Sequence, residues 1–145
     1  MNTMPPVADV DMRRATLLQI LHWLAIGRVQ PQALSDVYQD AIERLNPRLN
    51  AFADFSVSLI QEQALAADRR RRDGVIGRLD GMPIAIKDNF DVAGVPTRAG
   101  MRRRTVVPEE DAHVVARLRA SGAVLVGKTN MDEGALGMTT NNPFH

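Results

Sequence analysis

Two stretches of the chain hold residue types whose spacing could do chemistry. Residues 122–129, GAVLVGKT, satisfy the phosphate-binding pattern G-x-x-x-x-G-K-[ST] at every position. That pattern would set Lys128 on phosphate oxygens and Thr129 on magnesium. The other stretch, GRLDGMPIAIKDNFDVAGVPTRAGM at residues 77–101, closes a short apolar run with Lys87, followed by Asp88 and Asn89. A lysine acts as a general base only when neutral, so its reference pKa of about 10.4 must fall. Burial and nearby positive dipoles lower it by disfavouring the ammonium. Alternation along a strand sends Ile84 and Ile86 one way and Ala85 and Lys87 the other, which puts Lys87 next to a sheet core. The plainer reading is a strand-end lysine that snorkels to water. Asp88 and Asn89 are placed to orient the ammonium or the adjoining loop, or simply to cap a turn.

The phosphate-loop match fails on mechanics. Such a loop runs strand, flexible glycine turn, helix, with backbone N–H groups turned toward the anion. Here a helix precedes Gly122, and the loop positions hold Ala123, Val124, Leu125 and Val126, which favour buried, extended chain. Gly122 reads as the left-handed residue after a helix end. Lys128 is then structural, with Gly127 permitting close packing.

The elements that must position these residues follow from periodicity. Residues 1–11 hold two prolines and no repeat, and read as a loose arm. Leu17, Ile20, Leu21 and Leu24 mark a helix that Gly27 stops. Pro31 opens a second helix with Leu34, Val37, Tyr38, Ala41 and Leu45 on its apolar face, ended by Asn46-Pro47. NAFADF reads as a short strand, and a mostly polar third helix covers 56–72 until Asp73-Gly74 breaks it. A tight strand at 83–86 is followed by a long loop. Pro108 with Glu109, Glu110 and Asp111 starts a further helix through Val114, Val115 and Leu118. AVLVGKT is a strand buried on both faces, and a last short helix spans 130–136. The second half is thus strand, loop, helix, strand, a parallel βαβ order.

Composition narrows the classes. The 145 residues are 45% hydrophobic and 24% charged, with a net charge of +1 and no cysteine. That suits one globular domain and excludes disulfides, thiolate nucleophiles and cysteine–zinc sites. Charge gives no push toward nucleic acid or an anionic membrane. The runs at 69–72 and 102–104 read as a solvated helix end and a loop. No apolar stretch approaches a membrane span, and the N-terminus lacks a secretory pattern. His22, His113 and His145 share no metal-site spacing. Asp132 and Glu133, about 100° apart on a helix, read as surface charges.

Residues 77–101 resemble the N-terminal part of the amidase signature family. In that family an L-x-G-[IVM]-P-[IVF]-x-[IV]-K-D-N segment sets a catalytic lysine at the end of a buried strand. Here the segment is residues 79–89, with Lys87 at the lysine position. DVAGVPTRAG resembles the family's Gly/Thr-rich loop, and AIERLNPRLNAF, DAHVVARLRASGAVLVGKTNMDEGALG and TTNNPFH also match. The resemblance covers residues 15–145, in order and at family spacing.

It implies an α/β fold, namely the N-terminal part of the amidase-signature fold, with a mixed sheet flanked by helices and an N-terminal helical region. The expected divisions are a flexible arm (1–11), a helical region (12–72) and the first part of the α/β core (73–145), incomplete at its C-terminus. The implied activity is hydrolysis of a carboxamide C–N bond through a serine acyl-enzyme. Lys87 would be the base, a serine in a cis peptide the bridge, and a second serine the nucleophile, with no metal or cofactor. Gly137, Met138, Thr139 and Thr140 lie where the family's chain passes the substrate cleft, and are substrate-side candidates against the alternative of an ordinary loop.

Both family serines stand in a GGSSGG-like stretch expected a few tens of residues after NPFH. Ser35, Ser56, Ser58 and Ser121 stand in no such context. The expectation is an N-terminal portion of a cytoplasmic enzyme for a small-molecule amide, inactive alone. Its apolar PIAI and AVLV faces would need self-association or the remaining C-terminal portion to cover them. Two other readings stay open. One is a glutaminase-type subunit of a tRNA-dependent amidotransferase, with partner subunits but no direct nucleic-acid contact. The other is a non-catalytic, amidase-like interaction module.

Overall fold

Thr16 opens the first helix, α1 (Leu17–Ala25), through a reciprocal cap. Its hydroxyl accepts from the Gln19 N–H, while the Gln19 side chain accepts from the Thr16 N–H. The computed structural model describes residues 11–12, 14–103, 105–140 and 142. Helix α2 (Pro31–Leu49) starts on proline, strand β1 (Phe52–Asp54) follows, and α3 (Val57–Arg72) is capped by the Ser56 hydroxyl. Strand β2 (Pro83–Lys87), helix α4 (His113–Ala120) and strand β3 (Val124–Thr129) complete the order, with a 3-10 turn at Glu133–Ala135.

The sheet is mixed, in the order β1-β3-β2. β3 pairs antiparallel with β1 and parallel with β2, so β2–α4–β3 is the expected parallel unit. Its two faces are covered differently. Val124 and Val126 join Ile42, Ile60 and Ala64 beneath α2 and α3. Ile86 and Leu125 pack with Val92 and Val115 beneath α4 and the loop after β2. A third cluster, Met12, Ile20, Leu24, Val29, Leu34 and Met82, binds α1 to α2 and to the approach to β2. Burying each such side chain contributes on the order of 1.5–3 kcal/mol before entropy is counted.

Where the elements depart from the sequence pattern, a tertiary contact decides. α2 does not stop at Asn46-Pro47 but runs on to Leu49, where Asn50 turns left-handed (φ 48°). Pro47 and Glu43, whose mutual hydrogen bond is forfeited, both lie on the exposed side. Asn46 is a strut: its side chain accepts from the Phe52 N–H (2.8 Å) and donates to the Phe52 carbonyl (3.0 Å). α4 begins at His113 rather than near Pro108, because the preceding residues are tied to the loop after β2. The Gly94 N–H donates to the Pro108 carbonyl, the Ala112 N–H to that of Asp91, and the Ala93 N–H to the Asp111 carboxylate. The expected last helix is reduced to the 3-10 turn.

The arginine run at the end of α3 is no solvated end. Arg70 Nε lies 2.7 Å from Oδ1 of the fully buried Asp80, and Arg71 Nε 3.2 Å from its Oδ2. Arg71 also donates to the carbonyls of Leu24 and Asp80, so one side chain ties α1, α3 and the turn before β2. Arg69 and Arg72 face solvent, as do Arg102 and Arg103; Arg104 and His145 lie outside the described residues. Among the described residues no helix is long and apolar enough to cross a membrane.

Candidate active site at the carboxyl ends of two parallel strands

Because β2 and β3 run parallel, Lys87 and Thr129 pair at their common carboxyl end, and the loops that follow leave on the same side. Ligands of open α/β sheets settle in such crevices. The main chain at Lys87 is fixed by this pairing and by the turn in which its carbonyl accepts from the Phe90 N–H (3.0 Å). Alternation sets Ile86 into the core and leaves Ala85 and Lys87 facing the other way. Lys87 is exposed, against the expectation of burial. β2 is one of the two edge strands, and the face carrying Ala85 is only partly roofed by α2. Among the described residues no hydrogen bond or ion pair engages the Lys87 ammonium.

That same face forms an apolar groove of about 350 Å³ lined by Tyr38, Leu45, Leu49, Phe52, Pro83 and Ala85. Burial holds the Tyr38 phenol above its ordinary value, and its hydroxyl donates to the Met12 carbonyl (3.3 Å). On the opposite face a cavity of about 160 Å³ lies among Phe55, Leu59, Val95, Pro96 and Lys128.

Asp88 is turned inward. Its carboxylate is 1% exposed and its Oδ1 stands 3.1 Å from Lys128 Nζ, while Oδ2 accepts from the Arg98 N–H (3.1 Å). Lys128 Nζ also donates to Thr97 Oγ1 (3.0 Å) and to the Pro96 carbonyl (3.4 Å). No directed hydrogen bond closes between Nζ and Oδ1, so that contact is electrostatic and the directed ones run to the loop. The Asp88 N–H donates to the Thr129 carbonyl, and its carbonyl accepts from the Ala99 N–H. One residue therefore pins the end of β2 to β3 and to the loop at 96–99. Asn89 sits exposed in the 87–90 turn.

The face on which Lys128 lies is set by an irregularity in β3. Ile84 pairs with Leu125 but Ala85 pairs with Gly127, so Val126 is an extra residue. Past it, Lys128 lies opposite Ile86 and away from the side of Val124 and Val126. Gly127 adopts φ 145°, and a Cβ there would fall 2.7 Å from the Asp54 carbonyl. Residues 124–129 are strand throughout, with the lysine consumed internally and no cradle of turned amides.

Gly137, Met138, Thr139 and Thr140 lie in the exposed loop after β3. Asp132 is no free surface charge. Its Oδ2 accepts from the Thr140 N–H (3.0 Å), and a Cβ on Gly137 would meet this carboxylate at 2.4 Å. Asn142 donates to the carbonyls of Gly100 and Met131, binding this loop to the one after β2. The fold thus gathers Lys87, Asp88, Asn89 and the 137–140 loop at one end of the sheet. The four serines lie elsewhere: Ser35 is buried in α2, Ser56 caps α3, Ser58 bonds Ser56 (3.0 Å), and Ser121 donates to the Arg117 carbonyl. Among the described residues no three His, Cys, Asp or Glu side chains converge in a metal-binding group. The sequence reading missed the Asp88–Lys128 pair and the Asp80 clamp. Its one available signal was a charged residue set inside or beside an apolar strand.

Comparison with known proteins gives a consistent answer. A family model described as Amidase matches residues 33–145. The chain is 39% identical over 135 residues to a glutamyl-tRNA(Gln) amidotransferase subunit of Pseudomonas fluorescens, covering 92% of this chain and 28% of that protein. It is 42% identical over 123 residues to the putative amidase AmiA2 of Mycobacterium bovis, covering 85% of this chain and 25% of that one. The crystal structure of an amidase superimposes with a TM-score of 0.78 at 40% identity, over 90% of this chain and 30% of its own. The chain therefore spans between a quarter and a third of the length of these relatives.

Proposed function

The chain belongs to the amidase family, and on that premise we propose that it supplies the lysine base of a hydrolase that cleaves a carboxamide C–N bond. The observation that carries the reading is Lys87. It ends β2 on the family's K-D-N segment, its main chain is fixed on both sides, and its side chain is unpartnered among the described residues at the mouth of the sheet. In the proposed cycle the neutral Lys87 amine takes the proton of a serine hydroxyl, directly or through a bridging serine, as that hydroxyl attacks the amide carbonyl. The proton then passes to the leaving nitrogen, and water releases the acyl group by the same route in reverse. Both serines come from sequence outside these 145 residues, since the four serines here are placed elsewhere. The same further sequence would cover the Ala85–Lys87 face and exclude water from it.

The test is a chimera in which this chain replaces the corresponding N-terminal quarter of an active family amidase, assayed for ammonia release from a panel of carboxamides. Turnover is expected in the chimera and a loss of about 10²–10⁴-fold in Lys87→Ala. The isolated chain is expected to release none. A chimera as active with alanine as with lysine would overturn the assignment.

A second reading is favoured by the 39% identity to an amidotransferase component. Here the amide is glutamine, the ammonia passes to partner subunits, and tRNA is contacted only through them. Co-purification with such subunits, and glutaminase activity that depends on them, would select it.

A further inference from the structure

Asp88 is the carboxylate adjoining Lys87 in sequence, and a carboxylate beside an ammonium holds its proton in place. The fold commits that carboxylate elsewhere. Lys128 reaches Asp88 Oδ1 at 3.1 Å from the opposite face of the sheet, with side-chain exposures of 2% and 1%, and the Arg98 N–H occupies Oδ2. Asp54, on β1, is engaged in the same way by the Arg98 guanidinium at 3.1 Å. Asp132, in the loop after β3, receives the Thr140 N–H. These three acids are thus matched to partners other than Lys87.

A buried ion pair rarely stabilises a fold more than apolar side chains of the same volume would. The Asp88–Lys128 pair therefore calls for a use beyond stability, and its position supplies one. We infer that Lys128 is a positioning residue for Lys87: it takes up the charge of Asp88 from behind the sheet and leaves the strand-end lysine without a counter-ion. This rests on the proposed base role of Lys87 and concerns what prepares that amine. The extra residue at Val126 is what carries Lys128 to the side where it can do so.

The chain contains two lysines, 87 and 128, so the test needs no turnover. Acylation of the 145-residue chain by acetic anhydride at pH 8, followed by peptide mass mapping, reads Lys87 alone, with the N-terminal amine as internal standard. Lys128→Met leaves the Asp88 charge unbalanced and is expected to slow acylation of Lys87 about threefold. Asp88→Asn keeps an acceptor for the Arg98 N–H but leaves Lys128 unbalanced, and is expected to quicken it by a similar factor. The double variant should return to the wild-type rate.

A purely structural pair would shift both single variants in the same direction or neither, and either result overturns the inference. Circular dichroism checks folding. If Lys128→Met does not fold, acceleration in Asp88→Asn and its return in the double variant still decide for the inference, and an unchanged or slower rate decides against it. Failure of the base role would instead be seen in the chimera, as turnover that survives Lys87→Ala.

Discussion

Arg71 should be the costliest of the four terminal arginines of α3 to lose. Its guanidinium donates to the Leu24 carbonyl at 2.8 Å and the Asp80 carbonyl at 2.7 Å, and its Nε lies 3.2 Å from Asp80 Oδ2 without directed hydrogen-bond geometry. Its side chain is 12% exposed and that of Asp80 is 0%, whereas that of Arg70 is 37% exposed. Each charge-assisted bond to a carbonyl is worth about 1.5–3 kcal/mol. Two such bonds are lost together with one of the two counter-charges of a buried carboxylate, while Arg70 still engages Asp80 Oδ1, so the carbonyl bonds supply most of the cost. Arg71→Ala is therefore expected to lose about 3–5 kcal/mol. Arg71→Met, which keeps the apolar stem, should lose nearly as much. Asp80→Ala should cost about 2–3 kcal/mol, since both guanidiniums keep carbonyl or water partners. Arg70→Ala should cost about 1 kcal/mol or less, discounted for solvent screening. Urea unfolding followed by fluorescence of Trp23 gives the ranking, since that residue precedes Leu24 in α1 and is the single tryptophan. Equal costs for Arg70→Ala and Arg71→Ala, or a loss under about 1 kcal/mol for Arg71→Ala, would refute the reasoning.

Two further outcomes follow from other parts of the fold. Gly127→Ala combines φ 145° with a Cβ 2.7 Å from the Asp54 carbonyl and 2.9 Å from Phe52 and Phe55. It should destabilise by about 2 kcal/mol or more, and a melting temperature unchanged by the substitution would contradict that. Asp68 has its pKa raised above the ordinary 3.8, mainly by burial, with Asp80 adding to the rise while the Gln32 N–H, Arg72 and Arg71 oppose it. The folded state then favours the protonated form. Its contribution is fully present below the ordinary value and is lost as pH rises through the raised one. Asp68→Asn should melt higher than wild type at neutral pH and lose that advantage on acidification below about pH 4. A difference independent of pH would count against the burial of this carboxylate.

Local signals carried the sequence reading a long way. The Leu17–Leu24 period, the Pro31 helix start, the apolar run ahead of Gly127 and the parallel order of the second half were all visible, because each depends on neighbours within a few residues. What escaped depended on distant partners. The start of α4 is set by bonds from Pro108, Asp111 and Ala112 to residues 91–94, and the fate of Arg70 and Arg71 by Asp80. The exposure of Lys87 follows from its strand being last in the sheet, which periodicity does not report. The chemical candidate itself was found through the ordered motif around Lys87, while Asp88 was left between orienting the ammonium, orienting the adjoining loop and capping a turn; its carboxylate accepts from the Arg98 N–H of that loop and faces Lys128. Lys128 is brought to that carboxylate by one unpaired residue, Val126, which periodicity does not report.

This extra residue makes β3 a strand in which odd and even matter more than length. Ahead of it, even-numbered side chains, Val124 and Val126, enter the apolar layer under α2 and α3; beyond it, the even-numbered Lys128 goes to the other side. Deleting Val126 would leave one-to-one pairing with Lys128 still opposite Ile86, and would remove only the Val126 side chain from the layer with Ile42, Ile60 and Phe52. The side taken by Lys128 thus depends on the strand absorbing Val126 without a partner: the same residues in unbroken alternation would turn the ammonium toward Ile42, Ile60 and Phe52.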